Sequence, residues 1–150
     1  MADFCRSHGF PRAGVDPITD GTIALDLLMS MAGFPLAPQV VVVVLDERRV
    51  GRSGMVVHGA TSPDSAVVVA ETLKEAIPEP GVPAASAVLM ASIRPRGYLD
   101  DRDGDRWLEM CDLLEQRSAQ LLEWFVVTDH EVWCPRDLLG VPSRWRRRAA

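Results

Sequence analysis

The chain has 150 residues, of which 47% are hydrophobic and 25% charged, with 11 glycines and 11 prolines. These values are typical of one globular domain, and they exclude collagen-like, low-complexity and intrinsically disordered proteins. The formal net charge of −5 gives the chain as a whole no general affinity for nucleic-acid phosphates.

After an irregular lead-in over residues 1–19, the pattern predicts a helix and then a buried strand. From Asp20 onward the apolar residues recur on one face of a helix capped by Asp20 or Thr22, and Gly33 with Pro35 ends that pattern. Residues 40–45 are six consecutive aliphatic side chains, too few for a typical helix and apolar on both faces. Such a run predicts a strand in the middle of a sheet.

The next segments predict a hairpin partner, a second helix and a second buried strand. Residues 46–49 form a polar turn, after which residues 50–57 pair back on the first strand, weakened by two glycines. A helix capped by Ser62 or Asp64 follows, and residues 86–93 form another strand that is apolar on both faces.

The last part of the chain predicts a polar loop over 94–104, a third helix that begins at Asp105, and strands at 121–127 and 132–134. The acids of this helix are expected to face solvent. Its apolar stripe is expected to consist of Trp107, Leu108, Cys111 and Leu114.

The predicted order is helix, strand, strand, helix, strand, helix, strand, strand, which describes a single α/β domain with a mixed sheet and flanking helices. We place this domain at 20–140, between the lead-in and a basic tail at 141–150. From residue 135 onward five arginines stand against one aspartate, an asymmetry typical of a solvated or interacting tail. The tail residues that would contact a partner are Arg144, Trp145, Arg146, Arg147 and Arg148.

Three cysteines without a repeating spacing argue against a disulfide framework and favour a reducing compartment. The first residues show no signal-peptide pattern, and every apolar run is far shorter than the roughly 18 residues that a membrane helix needs. We therefore expect a cytoplasmic protein with no membrane partner.

Metal and catalytic motifs are weak or missing. Cys5 with His8, and His130 with Cys134, have ligand types and spacings that zinc uses, although such short spacings are common by chance. The acids over 100–105 are oxygen donors but do not fit a calcium-binding EF-hand, and an exposed loop that stabilises a helix start explains them equally. Phosphate-loop, dinucleotide-binding and serine-hydrolase motifs are missing. We expect no cofactor and assign no catalytic residue and no metal ligand.

Five segments stand in the order and spacing of a known fold. A valine-rich strand ends in Leu45-Asp46, and Gly59-Ala60-Thr61 leads into the second helix. A strand then runs into Ser92-Ile93-Arg94-Pro95-Arg96-Gly97, Asp105 follows eight residues after Gly97, and the strand at 121–127 completes the series. Over 41–140 the chain thereby resembles the RadC-type branch of the JAB/MPN metal-hydrolase family. The resemblance implies that family's cytidine-deaminase-like α/β architecture.

The resemblance also implies zinc chemistry, for which this chain lacks the ligands. Ser92 and Arg94 stand where the family has two metal-binding histidines, and only Asp105 matches its metal-binding aspartate. A guanidinium repels a divalent cation, and Gln39, near the place of the family's general-base glutamate, cannot take a proton. We therefore predict that an Arg94–Asp105 ion pair fills the former metal position. The predicted binding groove consists of Ser92, Arg94, Pro95, Gly97 and Asp105.

The sequence thus leads to the hypothesis of a catalytically inactive RadC/JAB-like domain that acts as a binding or assembly module. A protein is the expected partner, and nucleic acid would bind through the arginine-rich tail alone. Trp124, Trp133 and Trp145 are either interface aromatics or packing residues. The alternatives are an enzyme, either a metal-dependent hydrolase whose site is rebuilt from Asp105 with Cys134 or His130 or a metal-free one, and a small-ligand-binding α/β protein.

Overall fold

The computed structural model describes residues 12, 14–77 and 86–145. Its helices and strands follow the predicted order, and a 3-10 helix that the pattern does not predict is added near the end. The elements are α1 (Gly21–Ala32), β1 (Gln39–Leu45), β2 (Gly51–His58), α2 (Ser65–Ala76), β3 (Ala87–Ile93), α3 (Asp103–Glu115), β4 (Gln120–Val127), β5 (Val132–Trp133) and the 3-10 helix (Pro135–Leu139).

The five strands form one mixed sheet in the order β2-β1-β3-β4-β5. Strand β1 runs antiparallel to both of its neighbours, β3 and β4 are parallel, and β5 is antiparallel to β4. The parallel pair requires a crossover, and α3 supplies it. The prediction of a mixed α/β sheet is therefore confirmed, as is the hairpin of β1 and β2.

Helices cover both faces of the sheet, which explains why the predicted inner strands show no polar alternation. Every residue of β1 and of β3 is buried. In β1, Val42 packs in the core shared with α2 and α3, whereas the neighbouring Val43 packs in the core on the α1 side. The continuous apolar runs of the sequence are thus the signature of a sheet enclosed between two layers of helices.

Helix α1 begins and ends where the sequence predicts. The carboxylate of Asp20 accepts a hydrogen bond from the backbone N–H of Ile23 at 2.9 Å and so caps the first turn. The helix ends at Ala32, and Gly33 follows with a φ of 76°, a conformation that glycine adopts without strain.

Helix α3 differs from its prediction in two respects. It begins at Asp103, two residues before the predicted start at Asp105. Its buried stripe contains Met110 in place of Leu108, which is 48% exposed. Starting from Trp107, the helical spacing i, i+3, i+4, i+7 selects Met110 and not the adjacent Leu108, which lies about 100° further round the helix.

Within the described ranges, no helix combines the length and the apolar character needed to span a bilayer.

Candidate functional site

The candidate site is a groove of about 310 Å³ at the end of the sheet where β3 runs into the loop before α3. We call it the β3 groove. The segment before α2 supplies Thr61, and the loop after β3 supplies Arg94, Pro95, Gly97 and Tyr98. Three of the five residues predicted for a binding groove, those at 94, 95 and 97, are therefore brought together here.

Gly97 keeps the loop tight at the edge of this groove. Its backbone N–H donates to the carbonyl of Arg94 at 2.9 Å. A Cβ atom on Gly97 would lie 2.8 Å from the Cβ of Arg94, closer than real Cβ contacts allow. Glycine at this position therefore permits the turn that places Arg94 and Pro95 on the groove wall.

Arg94 forms an ion pair with Asp103, so the predicted pair with Asp105 is wrong. Nη1 and Nη2 of Arg94 donate to Oδ2 and Oδ1 of Asp103 at 2.8 and 3.0 Å, and Nη1 also donates to the carbonyl of Tyr98. Asp103 is fully buried, whereas Asp105 is exposed on α3. Asp103 precedes the buried Trp107 by one helical turn and so lies on the inward face of α3, whereas Asp105 lies on the opposite face.

All acceptor positions of the Asp103 carboxylate are occupied. Besides the two bonds from Arg94, Oδ1 accepts from Nη1 of Arg106 at 2.9 Å and Oδ2 accepts from the backbone N–H of Asp100 at 2.7 Å. An ionised carboxylate offers about four lone-pair sites, so these four bonds leave none for a metal ion.

Arg106 connects this buried carboxylate to α2. Its Nε donates to Asp64, the N-cap residue of α2, at 2.8 Å, and its Nη1 lies 3.4 Å from Asp100. Burial lowers the pKa of Arg106, but hydrogen bonds to Asp64 and Asp103 outweigh that effect and raise it. The pKa of Asp100 is lowered, chiefly by the hydrogen bond from the backbone N–H of Arg102 against the effect of burial. We call Asp64, Arg94, Asp100, Asp103 and Arg106 the arginine network.

Ser92 and Asp105, the other two residues predicted for the groove, do not line it. The Oγ of Ser92 is buried in the core shared with α2 and α3 and accepts a hydrogen bond from Nε1 of Trp124 at 3.0 Å. Asp105 lies on the solvent side of α3. Strand alternation explains the position of Ser92, because it shares the face of Met90, which belongs to the same core.

Gln39 is buried at the start of β1. Its Nε2 donates to the carbonyl of Ala37 at 2.9 Å, while its Oε1 has no hydrogen-bond partner among the described residues. An amide offers no proton-accepting group at neutral pH, so this position supplies no general base.

Of the two residue pairs with zinc-like spacing, only His130 and Cys134 lie among the described residues. In the described part of the chain, no group of three or more histidine, cysteine, aspartate or glutamate side chains is arranged to hold a metal ion. His130 is exposed, and burial together with the nearby Glu123 charge raises the pKa of the Cys134 thiol to about 12. Cys5 and His8 lie outside the described residues.

A buried ion pair that sequence reasoning missed lies on the α1 side of the sheet. Glu123 of β4 is 1% exposed, and Nε of Arg136 donates to both of its carboxylate oxygens at 3.0 and 3.2 Å. Burial raises the pKa of Glu123, against the hydrogen bond and charge of Arg136. The sequence does contain a signal for this pair, because a glutamate inside an otherwise apolar strand requires a buried partner.

The described part of the tail packs against the domain. The Arg144 guanidinium lies 5.3 Å from the ring centre of Trp107 and donates to the carbonyl of Leu121 at 2.9 Å, and Trp145 packs on the α1 side. Arg144 and Trp145, which the sequence assigns to an interacting tail, therefore make contacts within the chain. Trp124 is fully buried, and Trp133 packs against the same core, as packing residues do. Arg146, Arg147 and Arg148 lie outside the described residues.

No family model matches this chain, and no curated protein matches it.

Proposed function

We propose that this chain is a catalytically inactive RadC/JAB-like domain that acts as a binding or assembly module through the β3 groove. The observation that carries the proposal is the filled carboxylate of Asp103, which two arginines and a backbone N–H occupy beside that groove. In this interpretation an arginine network stands where a hydrolase of the resembled family would hold its metal ion.

The fold supports the proposal at the level of architecture. The elements occur in the order that the resemblance implies, and the segment that replaces the family's metal-binding motif, residues 92–97, ends at the groove. The mixed sheet between helices is the kind of scaffold that the resembled architecture uses. A scaffold carries no activity by itself, so the function must be argued from the site.

The side chains present do not fit a catalytic zinc ion. Such a site needs three neutral or anionic ligands and an open position for water. Here Ser92 is used by Trp124, Arg94 carries a fixed positive charge, and Asp105 lies on the solvent side of α3. No hydrolytic step is therefore assigned to this groove.

The groove has the properties of a polypeptide-binding surface. The arginine network fixes one wall, and a rigid wall reduces the entropy lost on binding. Arg96 and Tyr98 are exposed on the same loop, Tyr98 to 73%, and both residue types are enriched at protein interfaces. We infer a protein partner, and the free thiols of Cys111 and Cys134 support a reducing, cytoplasmic setting.

Zinc titration tests the loss of the metal site. Calorimetry of the purified, chelator-treated protein should show no stoichiometric zinc binding, because the buried Asp103 carboxylate beside the groove is already filled by hydrogen bonds. Stoichiometric zinc binding that is lost in Asp105→Asn or Cys134→Ser, but retained in Glu47→Gln on the β1–β2 turn, would contradict the proposal. It would support the alternative of a metal-dependent hydrolase with a rebuilt site.

Site-specific photocrosslinking tests the binding role of the groove. A photoreactive phenylalanine analogue placed at Tyr98 in cells should give a discrete protein adduct that the same analogue at Glu47 does not give. Glu47 is a matched control because it is exposed in the turn at the opposite end of β1. Identical adduct patterns at both positions would show that the groove is not a specific interface.

A further inference from the structure

Three exposed leucines lie where α3 meets the 3-10 helix, and we call them the leucine patch. Leu108 of α3 is 48% exposed, and Leu138 and Leu139 of the 3-10 helix are 49% and 40% exposed. Both residues of the 3-10 helix lie against Gly104: a Cβ there would be 3.2 Å from Cδ2 of Leu139 and 3.5 Å from Cβ of Leu138. Leu108 follows Gly104 by one helical turn on the same face, which joins the three side chains into one surface.

The leucine patch differs from apolar residues that are exposed singly. Single exposed apolar residues are normal on a protein surface, whereas a joined group on two elements marks an interaction site. The close approach at Gly104 also fixes the 3-10 helix on α3, so the leucines are presented on a preorganised surface.

The leucine patch adjoins a face of α3 that is acidic along its whole length. Its exposed charged residues are Asp105, Glu109, Asp112 and Glu115. None of these four carboxylates forms an ion pair within the described residues, and Arg106, the one basic residue of α3, is buried in the arginine network. The exposed Asp137 of the 3-10 helix adds an acid on the other side, paired with Arg136. Arg102, the residue before α3, is an exposed base.

We propose that the leucine patch and the acidic face of α3 together dock a basic amphipathic segment of a partner protein. Apolar side chains of that segment would cover the leucines, while its lysines or arginines would meet the carboxylates of α3. Charge complementarity selects this occupant, because an acidic peptide or a nucleic acid would be repelled. A second copy that docked by twofold symmetry would bring its own acidic face against this one.

This surface shares no residue with the β3 groove, so it goes beyond the function proposed above. A failure at one surface leaves the other testable, since crosslinking from position 98 reports on the groove alone.

Peptide binding tests the proposal. The probe is a fluorescent helical peptide of leucine and lysine with its leucines at i, i+3 and i+4, compared with a scrambled peptide of the same composition by anisotropy. We expect the patterned peptide to bind more tightly than the scrambled one, and binding to weaken as salt is raised. Leu108→Ser should weaken binding about tenfold, and Asp105→Asn with Asp112→Asn should weaken it by a similar factor.

Matched changes on α2 provide the control, since Val68 is exposed there and Glu71 lies nearby on the same helix. Val68→Ser and Glu71→Gln should leave the affinity unchanged, and circular dichroism should show the native fold in every variant. The proposal is overturned if the α2 changes weaken binding as much as the α3 changes, or if both peptides bind alike. It is also overturned if sedimentation shows a dimer of the free protein that Leu108→Ser dissociates, because the occupant is then a second copy.

Discussion

At the scale of single residues, two aspartates on one helix differ in burial. Asp103 and Asp105 both lie in the first turn of α3, yet the first is fully buried among arginines and the second is exposed. A spacing of two residues on a helix turns a side chain by about 200°, which carries it from the core to solvent. Composition and motif position favoured Asp105, whereas helix geometry gives the structural role to Asp103.

The two aspartates should therefore differ in their contribution to stability. Asp103→Asn leaves Arg94 and Arg106 without their shared carboxylate, and we expect the free energy of unfolding to fall by about 3 kcal/mol. Asp105→Asn should change it by no more than about 0.5 kcal/mol, because an exposed carboxylate in the first turn interacts weakly. Urea unfolding of both variants at neutral pH measures the difference. Equal effects would mean that the arginine network is not a stabilising feature.

At the scale of elements, the segment after the 3-10 helix packs against the edge of β4. Strand β5 pairs with the last residues of β4, at Val126 and Val127, and within the described part of the chain no strand pairs with the first part of that edge. Arg144 donates to the Leu121 carbonyl on this part and covers Trp107 on one side, and Trp145 packs on the other side of the sheet. The segment after the last strand thus supplies a hydrogen-bond donor to one carbonyl on this edge and packs on both sides of it.

Arg144→Ala should weaken the packing of this segment against β4. It removes a charge-assisted hydrogen bond and a contact with a buried aromatic ring, for an expected loss of about 1 to 2 kcal/mol in unfolding free energy. Arg48→Ala, in the exposed turn after β1, is the control and should have an effect within about 0.5 kcal/mol. Thermal or urea unfolding measures the free energy of unfolding of both variants. Equal values would show that the contacts of Arg144 contribute nothing to stability.

At the scale of the whole molecule, one sheet is shared by two separate cores. Leu28 of α1 is buried in one of them, and Trp107 with Trp124 is buried in the other. Because β1, β3 and β4 contribute side chains to both cores, loss of either layer exposes the sheet that the other requires. We therefore expect the two layers to unfold together.

Leu28→Ala tests this coupling across the sheet. The cavity on the α1 side should lower the free energy of unfolding by about 2 to 4 kcal/mol. The transition detected by tryptophan fluorescence, which reports chiefly on the opposite core, should shift by the same amount as the transition detected by far-ultraviolet circular dichroism. A fluorescence transition that stays in place while the helical signal is lost earlier would show that α1 unfolds as an independent layer.

Sequence patterns by themselves determined the order of the elements and the burial of β1 and β3, because periodicity and apolar run length are local properties. The proposal that Ser92 and Arg94 stand where the resembled family has metal-binding histidines likewise rests on the sequence. Tertiary structure decided which carboxylate receives Arg94, which base neutralises Glu123, and where Arg144 lies. These contacts join residues 9 to 23 positions apart, and their geometry depends on where α3 begins and how the chain returns to β4. No local pattern encodes such distances, so the assembled sheet and helices alone set them.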